Sequence, residues 1–211
     1  MDVYATEQEQ IDALKKWFKE YGMTIVVGLV IGISALAGYR YWESGKHQQA
    51  ASASMLYENM VQYIEQGKND DAVANGGRIV EKFPTTPYAI LASLMMAKLA
   101  IEQDSLPKAR AHLEWALANT HQPGMEEVTR LRLARVMLAQ DQGSEALALL
   151  EKEPSTGFVS ATYELKGDIY VSLGKIDEAR EAYQKAASAP DMAASKRELL
   201  KMKLDDLVQP Q

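Results

Sequence analysis

The stretch from Tyr163 to Ala186, YELKGDIYVSLGKIDEAREAYQKA, decides the architecture of this chain. It places an aromatic, a small residue and an aromatic (Tyr163, Gly167, Tyr170) on one helical segment. After Gly174, Ala179, Tyr183 and Ala186 give Ala, aromatic, Ala on a second. Two antiparallel helices approach closely only where side chains are small, so Ala or Gly must recur at their crossing points, and large residues fill the space between pairs. Lys166 stands where such a unit usually carries leucine just before its glycine, with Leu165 one position away.

The unit repeats on moving outward. Thirty-three residues back, Ala134, Ala146 and Leu150 hold the small, small and large positions. Thirty-seven further back stand Ala97, Ala109, Leu113 and Ala116, and another thirty-seven gives Ala72 and Ile79, ending at Pro84. The spacing brackets the ~34 residues of the tetratricopeptide repeat, in which no unit buries its apolar face alone. About four stacked units are therefore expected. The first is irregular, with Met60 on a small position and Gly76-Gly77 interrupting its second helix. Beyond the last unit, Ala193 to Val208 presents Leu200, Leu204 and Leu207 on one face and reads as a capping helix.

Composition agrees with an all-α fold. Ala, Leu, Glu, Gln, Lys and Met dominate, and strand-forming residues are scattered. A net charge of −6 argues against a nucleic-acid partner, which is usually met by a basic patch. With no cysteine, thiol catalysis, disulfides, cysteine zinc sites and a lipidated N-terminal cysteine are all excluded.

From Gly22 to Tyr39 the chain reads GMTIVVGLVIGISALAGY, without a charge. As a helix that run spans about 27 Å, close to a bilayer's hydrocarbon core. Trp17, Phe18 and Tyr21 precede it, and Tyr39, Tyr41 and Trp42 close it, as aromatic belts would. A buried core helix and a signal peptide cleaved after Ala35-Leu36-Ala37 are the alternatives. Five acids ahead of the run count against cleavage. Lys15, Lys16 and Lys19 against Arg40 and Lys46 favour a cytoplasmic N-terminus. Gly28 and Gly32 have the spacing that lets a second membrane helix approach. The expected organisation is an amphipathic tail at 1–21 and a single transmembrane helix at 22–42. A linker at 43–52 then leads into a tetratricopeptide-like helical-hairpin solenoid with its C-terminal cap at 53–208.

The first helix of each pair lines the concave face of such a solenoid. Phase assigns to it Tyr57, Val61 and Ile64 from the first unit, and Leu91, Leu94, Lys98 and Ile101 from the second. Leu131, Arg135 and Leu138 follow from the third, then Glu164, Asp168 and Val171 from the fourth. This reads as an apolar trough with cations at its centre and acids at its far end, suited to an extended apolar segment or an amphipathic helix. Alternatively, the apolar stripe is ordinary core. His47, His112 and His121 are isolated, no phosphate-cradling loop or nucleophile elbow is present, and carboxylates alternate with Lys and Arg as on a solvated helix face. Neither an enzyme nor a cofactor is expected.

The N-terminal block EQEQIDALKKWFKEYG, the glycine-bearing anchor and the GYRYWES that follows resemble the YfgM family of Gram-negative bacteria, as do YAILASLMMAKLA and LRLARVMLA. That resemblance covers essentially the whole length. It implies an inner-membrane protein with a short cytoplasmic tail and a periplasmic repeat domain. It also implies association with the SecYEG translocon and the membrane-anchored periplasmic chaperone PpiD, and assistance to exported polypeptides. Two other roles fit the same residues: a scaffold without client binding, or a regulator that sequesters a cytoplasmic factor through residues 1–21.

Overall fold

The computed structural model describes residues 7–207, all of whose regular elements are α-helices. Residues 1–6 of the expected tail and Val208 of the expected cap lie outside the described residues. The helices are α1 (Glu7–Glu65), α2 (Asn69–Lys82), α3 (Pro87–Glu102), α4 (Leu106–Asn119), α5 (Pro123–Ala139), α6 (Gly143–Leu149), α7 (Val159–Ser172), α8 (Ile176–Ala187) and α9 (Ala194–Asp206). The chain divides into two compact units, 1–49 and 50–211.

The first unit is helical throughout its described part. Its best eighteen-residue window has a mean hydropathy of 1.9 and is only 6% buried, so it is no core helix. It is long and apolar enough to cross a membrane. Aromatic residues pair at both ends: the rings of Trp17 and Tyr21 lie 6.0 Å apart, those of Tyr39 and Trp42 6.3 Å. The Lys46 ammonium sits 3.4 Å over the Trp42 ring. The polar stretch at 43–52, expected as a linker, is helical and belongs to α1. It contains no proline, and the helix runs on through its one turn-prone pair, Ser44-Gly45.

The second unit is four helical hairpins and a cap. The last turns of α1 pair with α2, then α3 with α4, α5 with α6 and α7 with α8, and α9 packs on α8. Every crossing point named from the sequence is buried: Ala72, Ala109, Ala146 and Ala179 all have no exposed surface. In each hairpin two buried positions stand sixteen apart: Met60 and Gly76, Ala97 and Leu113, Ala134 and Leu150, Gly167 and Tyr183. Three pairs are small against large. The first is reversed, and this explains its irregularity: Met60 is fully buried, and Gly76 makes room for it and for Met96 of α3. α2 therefore runs through Gly76-Gly77 without a break.

The four hairpin turns share one backbone device. Gly67, Asp104, Asp141 and Gly174 each have positive φ, at 72°, 54°, 60° and 71°. In each turn the next residue's N–H reaches back to a carbonyl five residues earlier: Lys68 to Tyr63, Ser105 to Ala100, Gln142 to Met137 and Lys175 to Tyr170, at 2.8–2.9 Å. This closes the helix C-terminus and reverses the chain.

Candidate functional site

The first helices α3 and α5, with the last turns of α1, line an open trough made of two cavities. One, of about 530 Å³, has Leu94, Ala97, Ile101, Leu106 and Leu113 as its apolar floor, with Lys98, Glu102, Arg132 and Arg135 around it. The other, of about 500 Å³, lies among Tyr57, Leu91, Met95, Met125, Val128 and Phe158. The two share Leu94, Lys98 and Arg132. Side chains at i, i+4 and i+7 stand on one helix face, which is why Leu94, Lys98 and Ile101 of α3 appear together. Val128, Arg132 and Arg135 do the same on α5.

The residues expected on the concave face divide three ways. Tyr57, Leu91, Leu94, Lys98, Ile101 and Arg135 line the trough. Val61 is half-buried on α1, Ile64 packs against the core around Met60, and Leu138 packs against the central core. Leu131 belongs to that core with 6% exposure. It stands one helical turn before Ala134, the crossing-point residue, and is drawn inward with it. Arg135 stays on the trough face of α5, while Arg132, one residue or about 100° further round the helix, takes the place assigned to Leu131.

The far end differs as well. Glu164 and Asp168 are engaged by the capping helix: the Lys203 ammonium donates to Glu164 at 2.9 Å and to Asp168 at 2.7 Å. The Tyr183 hydroxyl donates to the same Asp168 carboxylate at 2.7 Å. Burial pulls the Lys203 ammonium down, but its hydrogen bonds and the charges of Asp168 and Glu164 outweigh that, and its pKa lies above the ordinary lysine value. Burial, then the Asp168 hydrogen bond and charge, push the Tyr183 phenol far up. Val171 is 40% exposed.

Arg132, Val128, Met125, Met95 and Phe158 were not named from the sequence. The signal was present for the first two, since Val128, Arg132 and Arg135 repeat at helical spacing. Phe158 lies in the turn before α7, where periodicity carries no information. Among the described residues no cluster of three or more His, Asp or Glu could hold a metal ion.

A stack of helical hairpins with a concave trough and a terminal cap defines a tetratricopeptide-like solenoid. A family model described as a tetratricopeptide repeat-like domain matches residues 15–209. Two solved structures share the fold. A tetratricopeptide repeat protein from Parabacteroides merdae has a TM-score of 0.50 at 17% identity over 74% of this chain and 58% of its own. MamA has a TM-score of 0.52 at 16% identity over 70% and 91%. At the level of sequence, an Escherichia coli protein is 34% identical over 98% of this chain and 99% of its own. A Haemophilus influenzae protein is 31% identical over 97% and 99%, and a Neisseria gonorrhoeae protein 27% over 98% and 100%. All three bear the name ancillary SecYEG translocon subunit. The chain belongs to this family of ancillary translocon subunits with a tetratricopeptide-like domain.

Proposed function

We propose that this protein is a membrane-tethered adaptor at the Sec translocon whose solenoid holds a partner polypeptide in the trough between α1, α3 and α5. The observation that carries the reading is the trough itself: an apolar floor over buried Leu94, open at Ile101 and edged by Lys98, Arg132 and Arg135. Residues 22–42 act as the anchor. The excess of lysines before it supports an N-terminus in the cytoplasm and a solenoid in the periplasm. Relatives named as translocon subunits support the location, and the YfgM resemblance points to PpiD as the chaperone partner, with exported polypeptides as clients. Tethering confines adaptor and partner to one surface, so modest contacts suffice. The protein needs no catalytic chemistry for this role.

Leu131 is unsuited to testing this, because a carboxylate placed in the core there would unfold the solenoid rather than report on binding. Ile101, at 43% exposure, is suited. Ile101→Asp retains the fold and lowers co-purification of the translocon and its chaperone from detergent-solubilised membranes. Undiminished co-purification by a folded Ile101→Asp protein contradicts the reading. Protease treatment of spheroplasts tests the orientation: a solenoid that stays protected until the membrane is breached would place it in the cytoplasm.

A further inference from the structure

We infer that the trough selects an apolar segment bearing a central carboxylate, which seats between Lys98 and Arg132 while the apolar side chains before and after it fill the two cavities. The inference rests on the trough being the binding surface, as proposed above, and adds the chemistry of what it accepts. Three features support it.

The two cavities are joined over Leu94, and the residues common to both, besides that leucine, are the cations Lys98 and Arg132. Any chain that fills both cavities must pass these two side chains. The trough also collects three cations against the single carboxylate Glu102, on a protein whose net charge is −6. Glu102 lies 3.6 Å from Lys98 and offsets it in part. Arg132 and Arg135 form no ion pair among the described residues, whereas Arg110, Arg130 and Arg180 of the same domain each do. Arg78 on α2 and Arg197 on α9 are likewise unpaired, but only Arg132 and Arg135 bring unpaired guanidiniums to the trough. A carboxylate between Lys98 and Arg132 brings a negative charge and two acceptor oxygens to the guanidinium's fork of N–H groups, which neither an amide with its single oxygen nor an ammonium can do.

The apolar half of the preference follows from the cavity walls. Ala97, Ile101 and Leu113 in one cavity, with Met95, Met125 and Phe158 in the other, present apolar surface, and of the residues named around the second only Tyr57 adds a hydroxyl, so apolar side chains fit these walls better than polar ones. Two methionines make the second cavity adaptable in shape. The accepted segment thus reads apolar, acidic, apolar, and a run of apolar residues without the acid binds less well.

The test uses the full-length protein in lipid nanodiscs and three fluorescein-labelled, end-capped helical peptides of Leu, Ala and Gln. They differ only in the central residue: Glu, Gln or Lys. Fluorescence anisotropy is expected to show the Glu peptide binding roughly three- to tenfold more tightly than the Gln peptide, as for a solvent-accessible charge-assisted pair, with the Lys peptide weakest. In Arg132→Gln, an exposed substitution that leaves the fold intact by circular dichroism, the Glu and Gln peptides converge. Equal affinity for Glu and Gln peptides, or a preference that survives Arg132→Gln, overturns the inference and leaves the adaptor reading standing. No binding by any of the three overturns both.

Discussion

Gly167 lies so close beneath the ring of Tyr183 that a Cβ placed on it would stand 2.3 Å from Cε1 and 2.4 Å from Cδ1. Tyr183 cannot retreat, because it is 3% exposed, packs against Ala186 and Leu200, and is tied through its hydroxyl to Asp168 at 2.7 Å. The first hairpin solves the same crossing in reverse, with Met60 as the large residue and Gly76 as the small one. There a Cβ on Gly76 would meet only the Met96 thioether, at 2.8 Å from its sulfur, and the tip of Met60.

These two contacts predict unequal costs for the same substitution. Gly167→Ala destabilises by about 2–3 kcal/mol, because overpacking against a fixed ring outweighs the helix propensity gained. Gly76→Ala costs less than about 1 kcal/mol, because the methionine side chains rotate away and the propensity gain offsets their strain. Urea unfolding of both variants checks the order, and equal losses would contradict it.

The turn residues make a second prediction. Asp104 and Asp141 hold φ of 54° and 60°, which L residues adopt at a cost. Asp104→Gly and Asp141→Gly each stabilise the domain by about 0.5–1 kcal/mol, while Gly67→Ala and Gly174→Ala destabilise it by about 1 kcal/mol. Thermal melts of the four single variants decide it.

The capping helix gives a third. Lys203 bridges Glu164 and Asp168, whose side chains are only 17% and 33% exposed. Lys203→Met leaves both with fewer partners and costs about 1–2 kcal/mol, less than a fully buried pair because water still reaches Asp168. Since the folded pKa of Lys203 lies above the ordinary lysine value of 10.5, its contribution is complete below that value and is lost as pH rises through the folded one. Stability between about pH 6 and 9 is accordingly insensitive to this bridge. A wild-type-minus-variant difference that changes across that window would contradict the assignment.

His112 supplies a pH effect of opposite placement. Burial, and then the nearby Lys108, push its imidazole below the ordinary histidine value of 6.5. The unfolded chain therefore takes up the proton first, and stability falls as pH drops below that value towards the folded one. His112→Gln is expected to flatten the difference in melting temperature between about pH 7.5 and 5.5. An unchanged difference would show that His112 contributes none of it.

Periodicity carried the fold because crossing points obey size rules that single residues express: Ala97 with Leu113, Ala134 with Leu150 and Gly167 with Tyr183 all stand sixteen apart. The first hairpin was obscured only because Met60 and Gly76 exchange sizes, which a pattern of expected small positions cannot register. The site was legible in part. Leu94, Lys98 and Ile101 stood out as one face of α3. On α5 the repeat offset pointed to Leu131, since a one-residue shift turns a helix by about 100° and composition does not choose between neighbouring apolar rows. The pairing of Lys203 with residues 35 and 39 positions earlier depends on where the capping helix docks, a long-range fact with no local signature.

The measurement that bears most directly on the adaptor reading is site-specific photo-crosslinking in intact cells. Probes would be placed at 101, 128 and 135 in the trough and at exposed positions 78, 114 and 181 on the second helices. The account predicts adducts to translocon components, a membrane-anchored chaperone or exported chains from the trough positions, with few from the others. Adducts confined to 78, 114 and 181, with silence from the trough, would make the apolar floor ordinary core and the protein a scaffold that works through its outer surface.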